Sequence, residues 1–297
     1  MHLQTTYNPA AAGEGDLMKV AGMHRMQFTG MSDLPMTTYF TAAAPFKIAK
    51  THHAAGVRFL NDMYGLFSNQ SFHIQYAYRH KIGKGFISAG IDIGFANISF
   101  KADKVNLKTI EALEEGDDGY HKADDPAIPQ NSGSNGVTGM GFDMGIGLYY
   151  SAPKWWASIS YSHLTQPKIH WNDRTFFKMH GTLFLAGGYN WRLRNPKWTL
   201  KPSMMVMTDF TFWDINLNLM AEIKSKYRFG AGYRIAGSVN ILLGMDIISG
   251  LQLGYTYELP ANRLIKGTYG SHELYLAYAF SLLKPKRTNK YKSVRYM

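Results

Sequence analysis

The sequence predicts an all-β protein, a transmembrane antiparallel outer-membrane β-barrel of about fourteen strands. Three observations point there. Segments of roughly nine to twelve residues alternate apolar side chains with small or polar ones. The connections between them alternate short and long. Aromatic content is 14 %, with 19 Tyr and 17 Phe beside 29 Gly, and aromatics favour strands while glycine punctuates them.

The strands fall near 17–28, 36–46, 52–60, 70–81, 86–100, 137–151, 155–163, 178–192, 197–208, 210–222, 226–237, 239–247, 250–258 and 272–282. In the fourth, Phe72, Ile74, Tyr76 and Tyr78 alternate with His73, Gln75 and Arg79. The fifth repeats the design, with Ile87, Ala89, Ile91, Ile93 and Phe95 against Ser88, Gly90, Asp92 and Gly94. In the sixth, Met140, Phe142, Met144, Ile146 and Leu148 oppose Gly141, Asp143, Gly145 and Gly147. Later segments follow the same rule: Trp213, Ile215, Leu217 and Leu219 oppose Asp214, Asn216 and Asn218, and Leu274, Leu276, Tyr278 and Phe280 line one face of the last strand. That last face also suits a barrel-assembly signal. Period two gives each strand one apolar face and one small or polar face.

A soluble sandwich alternates too, but its strands usually run about five or six residues and turn a polar face to bulk water. Here the second face is rich in Gly, with scattered Asp, Asn and Arg and few Lys or Glu, which suits a barrel lumen. Connections after even-numbered strands are short ("KIAKT", "IGKG", "APK", "RNPK", "KSK", "ISG"), whereas 101–136, 164–177 and 259–271 are long. Barrels of the outer membrane place short turns and both termini in the periplasm. The connection near Asp209 is short, so a count of twelve or sixteen strands also fits.

The chain of 297 residues is thus read as an N-terminal periplasmic or lumenal segment (1–16), the barrel (17–283) and a basic periplasmic tail (284–297). No cysteine is present, which excludes a disulfide scaffold and thiol catalysis. No apolar run reaches the eighteen or more residues of a membrane helix. No cleavable signal peptide is visible, and the chain opens so close to its first feature that a removed upstream segment is expected.

The net charge of +11 is unevenly placed. The long segment 101–136 is acidic through Glu111, Glu114, Glu115, Asp117, Asp118, Asp124 and Asp125. The short turns are basic, with Lys47, Lys50, Lys84, Arg194 and Lys224, joined by Lys81, Lys154, Lys197 and Lys226. The tail adds Lys284, Lys286, Arg287, Lys290, Lys292 and Arg295 and no acid. Taken singly, a turn lysine is a solvated interfacial residue. A rim and tail of one sign predict an electropositive periplasmic face suited to an acidic protein surface or to peptidoglycan. Nucleic acid is not expected as a partner, because the basic residues lie in barrel turns without a recognition element.

No catalytic, cofactor or metal site is expected. The eleven histidines are scattered without HExxH or a Cys/His pattern. His52 and His53 are adjacent, so a strand points them to opposite faces. The Gly139/Gly141 and Gly145/Gly147 pairs fit lumen packing better than phosphate binding.

Several motifs in order resemble the PorP/SprF membrane proteins of the type IX secretion and gliding system. "YNPAAAG" is similar to that family's opening signature through Asn8, Pro9, Ala10 and Gly13. "HRMQFTGMSDLP" resembles its next segment through Arg25, Gln27, Gly30 and Pro35, with Phe28 where the family usually has Trp. "NDMYG" matches through Asn61, Asp62 and Gly65, and "FDMGIGLYYS" follows with Phe142 in place of Pro. "GSHELYLAYAF" closes the series through Ser271, His272 and Glu273. The resemblance runs from about residue 7 to 295. It implies a non-enzymatic outer-membrane barrel that works with the periplasmic lipoprotein ring of the secretion apparatus, or with the C-terminal domain of a secreted adhesin, in contact with outer-membrane lipid. The rival reading is a diffusion channel or small-ligand transporter, since a barrel of this size is wide enough for a lumen. Before strand one, the small residues of Tyr7–Gly13 are expected to pack backbone against the Gly-rich wall, unless the stretch is only an entry turn.

Overall fold

The computed structural model describes residues 3–31, 33–101, 107–108, 121–122, 137–171 and 175–281. The first seven barrel strands are β1 (Met18–Met26), β2 (Met36–Ile48), β3 (Thr51–Tyr64), β4 (Phe67–Ile82), β5 (Gly85–Phe100), β6 (Val137–Ser151) and β7 (Trp155–Ser162). The second seven are β8 (Thr182–Tyr189), β9 (Trp198–Thr208), β10 (Trp213–Ile223), β11 (Tyr227–Arg234), β12 (Ser238–Ile248), β13 (Leu251–Pro260) and β14 (Ser271–Phe280). Each pairs antiparallel with its neighbours in sequence, and Trp191–Arg192 continues β8 against Thr199–Leu200 of β9. The last strand returns to the first, with Met18 opposite Phe280 and Met26 opposite His272. The barrel is closed at fourteen strands, which leaves no unpaired sheet edge in hydrocarbon.

The alternation sorts side chains as the sequence requires. Ile74, Phe95, Met140, Ile146 and Leu219 are exposed on the outside, while His73, Gln75, Asp92 and Asp143 are buried in the lumen. An apolar outer band of this extent is matched to lipid rather than water. Met18, Phe280 and the connections 49–50, 83–84, 152–154, 193–197, 224–226 and 249–250 lie at one end, here the short-turn end. The ends of β1, β5, β7 and β13 and the starts of β2, β6, β8 and β14 lie at the other, here the long-connection end.

One stretch differs from the sequence expectation. Residues 61–69 read as a connection because Asn, Asp and Gly interrupt the alternation. Instead β3 and β4 run on as a ladder, with Asn61 opposite Gln70 and Asp62 opposite Asn69, and turn only at Gly65–Leu66. Most of the acidic segment 101–136, including the seven carboxylates named above, lies outside the described residues.

Part of the connection between β7 and β8 folds inward. Lys168–His170 pairs with Phe176–Lys178 as a small ribbon. Its Ile169 and Met179 are buried against Ala96 and Ile98, and the Trp171 indole donates to the Ile98 carbonyl at 2.9 Å. Gly139 and Gly141 of β6 provide the room, since a Cβ there would meet His170 and Pro167. The ribbon covers the long-connection end above β4, β5 and β6.

Candidate functional site: the lumen and its N-terminal segment

Residues before β1 turn back into the barrel. Gln4–Thr6 and Pro9–Gly13 form two 3₁₀ turns, the second wholly buried. Local chemistry favours the second turn. Pro9 presets φ at its first position, and the Asn8 side-chain oxygen accepts the Ala10 N–H at 2.9 Å as its cap. The same amide donates to Ser158 Oγ at 2.7 Å and to the Leu148 carbonyl at 3.0 Å. Asn8 thus ties the segment to β6 and β7 while satisfying its own buried groups.

The alanines and the wall glycines explain each other. Ala12 packs against Ala43, Ala54 and Ala77 of β2, β3 and β4. A Cβ on Gly90 would overlap the backbone of Ala10, and one on Gly147 would overlap the Asn8 side-chain oxygen. The segment therefore sits where the lumen wall is reduced to backbone.

Further bonds hold it from the same side. Arg58 donates to the Thr6 carbonyl and pairs with Asp92 at 3.3 Å. Gln75 Nε2 donates to the Thr5 carbonyl at 2.9 Å, and the Thr5 and Thr41 hydroxyls lie 3.0 Å apart. Arg79 donates to the Gly15 carbonyl at 3.1 Å, and the Tyr149 hydroxyl donates to Glu14 at 3.0 Å. Tyr7 stacks on Phe184 of β8 with ring centroids 5.5 Å apart. Burial, then the Glu14 charge, raises the Tyr7 phenol above its ordinary value, which keeps it neutral. Beside this segment, Asp143 Oδ2 accepts from His73 Nε2 at 3.0 Å and His163 Nδ1 at 2.7 Å. Both imidazoles spend a nitrogen on one oxygen, an internal brace rather than an open ligand set. Among the described residues no group of His, Asp and Glu is placed to hold a metal ion.

The wall from β9 to β14 is different. Several of its inward side chains are long and charged, and these are held in ion pairs. Arg25 meets Glu258 at 2.6 Å, and Arg234 meets Glu258 at 3.2 Å and Asp214 at 3.5 Å. Arg228 pairs with Asp246, and Lys201 pairs with Glu222 at 2.7 Å. Two cavities remain there. One of about 400 Å³ is lined by residues such as Tyr39, Arg234, Asn240 and Thr256. The other, of about 550 Å³, lies toward the short-turn end near Glu14, Lys19, Lys201 and Gln252. Both reach Asn218, Met220 and Leu242 beside the N-terminal segment.

The motif residues divide among these places. Asn8, Pro9, Ala10 and Gly13 form the buried turn. Arg25 joins the charged wall, and Glu273 lines the cavity of about 400 Å³ with it. Gln27 and Pro35 meet through an N–H···O=C bond of 2.9 Å that pins the connection between β1 and β2. Gly30 has φ +95°, and a Cβ there would strike the Tyr269 ring. Asn61 is half-buried beside Asp62, which accepts from Thr37 at 2.5 Å, and Gly65 (φ +57°) makes the two-residue turn. Ser271 accepts the Phe28 N–H at 3.2 Å, and His272 meets the Tyr255 hydroxyl at 2.7 Å. Lys47, Lys50, Lys84, Arg194 and Lys224 are exposed together at the short-turn end. Lys284, Lys286, Arg287, Lys290, Lys292 and Arg295 lie outside the described residues. The brace of His73, Asp143 and His163 was not singled out by sequence reasoning. Its only signal is a polar residue at three inward positions far apart in the chain.

Fold and lumen together define a β-barrel of the outer-membrane type with its N-terminal segment inside, a structural or transport membrane protein. The family is equally plain. The chain belongs to the type IX secretion system membrane protein PorP/SprF family, whose model matches residues 1–278. Among solved structures it is similar to the CymD monoaromatic hydrocarbon channel, with a TM-score of 0.51, 10% identity and coverage of 94% of this chain and 98% of that one. It is also similar to the Acinetobacter baumannii outer membrane protein Omp33 (TM-score 0.49, 7% identity, 91% and 99% covered). The Pseudomonas putida toluene transporter TodX matches at a TM-score of 0.49, with 9% identity and 92% and 91% covered. At such identities the likeness concerns the barrel fold alone. No curated protein sequence matches the chain.

Proposed function

We propose that this barrel is a non-enzymatic adaptor of the type IX apparatus, coupling the outer membrane to the periplasmic lipoprotein ring or to the C-terminal domain of a secreted cargo. Family membership supports the apparatus. The observation that carries the adaptor reading is the N-terminal segment buried in the lumen: the chain fills its own interior along one wall, leaving the rims as the surfaces for partners. In this reading the short-turn end faces the periplasm with both termini. The contact surface is then Lys47, Lys50, Lys84, Arg194 and Lys224 of the rim together with the tail from Lys284 to Arg295, facing an acidic partner surface or peptidoglycan.

Deleting residues 284–297 is expected to leave a heat-modifiable barrel while abolishing co-purification of the periplasmic partner from detergent-solubilised membranes. Unchanged co-purification would remove the tail from the contact. Orientation is tested separately, because the chain has no cysteine of its own. Lys50→Cys should label only after the outer membrane is permeabilised, and Thr165→Cys should label on intact cells.

The two cavities that meet at Asn218, Met220 and Leu242 favour a second reading, conduction past the segment. Single-channel recording separates the two, since a large stable conductance would establish a channel.

A further inference from the structure

Pro202 stands in the middle of β9, where a residue without an N–H cannot complete a ladder. Gly188 pairs with Ser203 and Trp191 with Leu200 in one register, yet no ladder pair joins Tyr189 and Asn190 to Pro202 and Lys201. Asn190 instead donates its N–H to the Lys154 carbonyl at 2.6 Å. On the membrane-facing side of this interruption the wall carries an apolar groove of about 660 Å³. Its floor is Gly187, Pro202 and Ala231, and its flanks are Leu217, Leu219 and Tyr233. The three flanking side chains are exposed on the outer face, so the groove opens to lipid and not to the lumen.

The groove leads to a cationic edge. From Pro202 down β9 to Lys197 is five residues, about 16 Å of strand. That is close to the half-thickness of a hydrocarbon core of about 30 Å. Exposed Trp191 and Trp198 lie between, at the level where aromatic side chains sit beside headgroups. The Lys224 N–H donates to the Lys197 carbonyl at 2.7 Å, which brings two neighbouring turns and three exposed lysines (Lys197, Lys224 and Lys226) together. The nearby carboxylates are already used: Glu222 binds Lys201, and Asp246 binds Arg228. Among the described residues none forms a salt bridge to the three lysines.

We propose that this face is a binding site for an anionic glycerophospholipid of the adjacent leaflet. One acyl chain lies in the groove over Gly187, Pro202 and Ala231, and the phosphate sits among Lys197, Lys224 and Lys226. The small floor residues supply depth, Pro202 brings no N–H to the groove, and the lysines supply the charge preference. A lipid fits better than a protein segment because the groove and the lysines are one leaflet apart, with an aromatic belt between them.

The test uses the full chain in nanodiscs of mixed phosphatidylglycerol and phosphatidylcholine, with native mass spectrometry reading the lipid retained. Wild type should retain phosphatidylglycerol selectively. Each lysine changed to glutamine should lower that preference about fivefold, as expected for a surface charge near a headgroup. Ala231→Trp, which fills the groove from the lipid side, should abolish selective retention; Gly187→Leu is the second variant if the first fails to assemble. Equal retention of the two lipids by wild type, or undiminished retention in both groove variants, would overturn the site. A benzoylphenylalanine at position 231 should crosslink to phospholipid in cells. A crosslink to a polypeptide in its place would assign the groove to a protein and overturn the lipid.

Discussion

The two sides of this barrel obey the same alternation and end up with opposite interiors. From β2 to β7 a patch of small inward residues, Ala43, Ala54, Ala77, Gly90 and Gly147, packs against the N-terminal segment, and Arg58, Gln75, Arg79 and Tyr149 around it bond to that segment. From β9 to β13 the inward side chains include long charged ones that pair as Lys201–Glu222, Arg228–Asp246, Arg234–Asp214 and Arg234–Glu258. A small-residue wall takes in another stretch of chain and is packed to backbone distance. A wall of long side chains occupies its own space, satisfies its charges internally and leaves cavities. The size of the lumenal side chains decides what fills this barrel.

The largest expected effect is at Arg58. Arg58→Met removes the donor to the Thr6 carbonyl and strands the buried Asp92 without its counter-ion, a loss of about 3–5 kcal/mol. Limited proteolysis should then cut the N-terminal segment, and the barrel should lose heat resistance. Arg234→Met on the opposite wall should cost less, about 2 kcal/mol, because Glu258 keeps Arg25 and the Ser238 hydroxyl while Asp214 keeps only the Asn216 amide at 3.2 Å. Equal losses would break the contrast between the walls.

Next come two glycines. Gly147→Val drives a side chain into Asn8 and should cost about 2 kcal/mol, with release of the segment. Gly244→Val on β12 meets chiefly the Arg228 side chain, the nearest atom being Nε at 3.2 Å, which can give way. Proteolysis should distinguish a released segment in the first from a protected one in the second. Asn8→Ala should follow at about 1–2 kcal/mol, through the lost cap and the lost bond to Ser158. Gln75→Leu is the smallest, about 1 kcal/mol for one donor to the Thr5 carbonyl, read as a modest rise in the rate of N-terminal cleavage.

Much of the fold was legible because period two is a local property. The faces of Phe72–Tyr78 and of Met140–Leu148 follow from adjacent residues, and so do the basic short turns. Which residues meet across the lumen is not local. The glycines at 139, 141, 145 and 147 signal close packing, yet their partners differ: the first two face the ribbon at Pro167 and His170, and Gly147 faces Asn8. The brace joins His73 in the middle of β4, Asp143 in the middle of β6 and His163 just after β7, residues with no sequence relation. Residues 61–69 were misread because a polar ladder near a barrel mouth needs no apolar face. Pro202 reads as an ordinary strand residue until the two missing pairs beside it are seen.

The position of the N-terminal segment has a mechanical consequence. Apart from Leu3, which touches the β1/β14 seam, and the Tyr7–Phe184 stack, the contacts described above run to β2–β7. The segment is thus a rib riveted along one half of the hoop and not a spoke across its bore. Pulling it out would strip partners from β2–β7 and leave the ion pairs of β9–β13 in place.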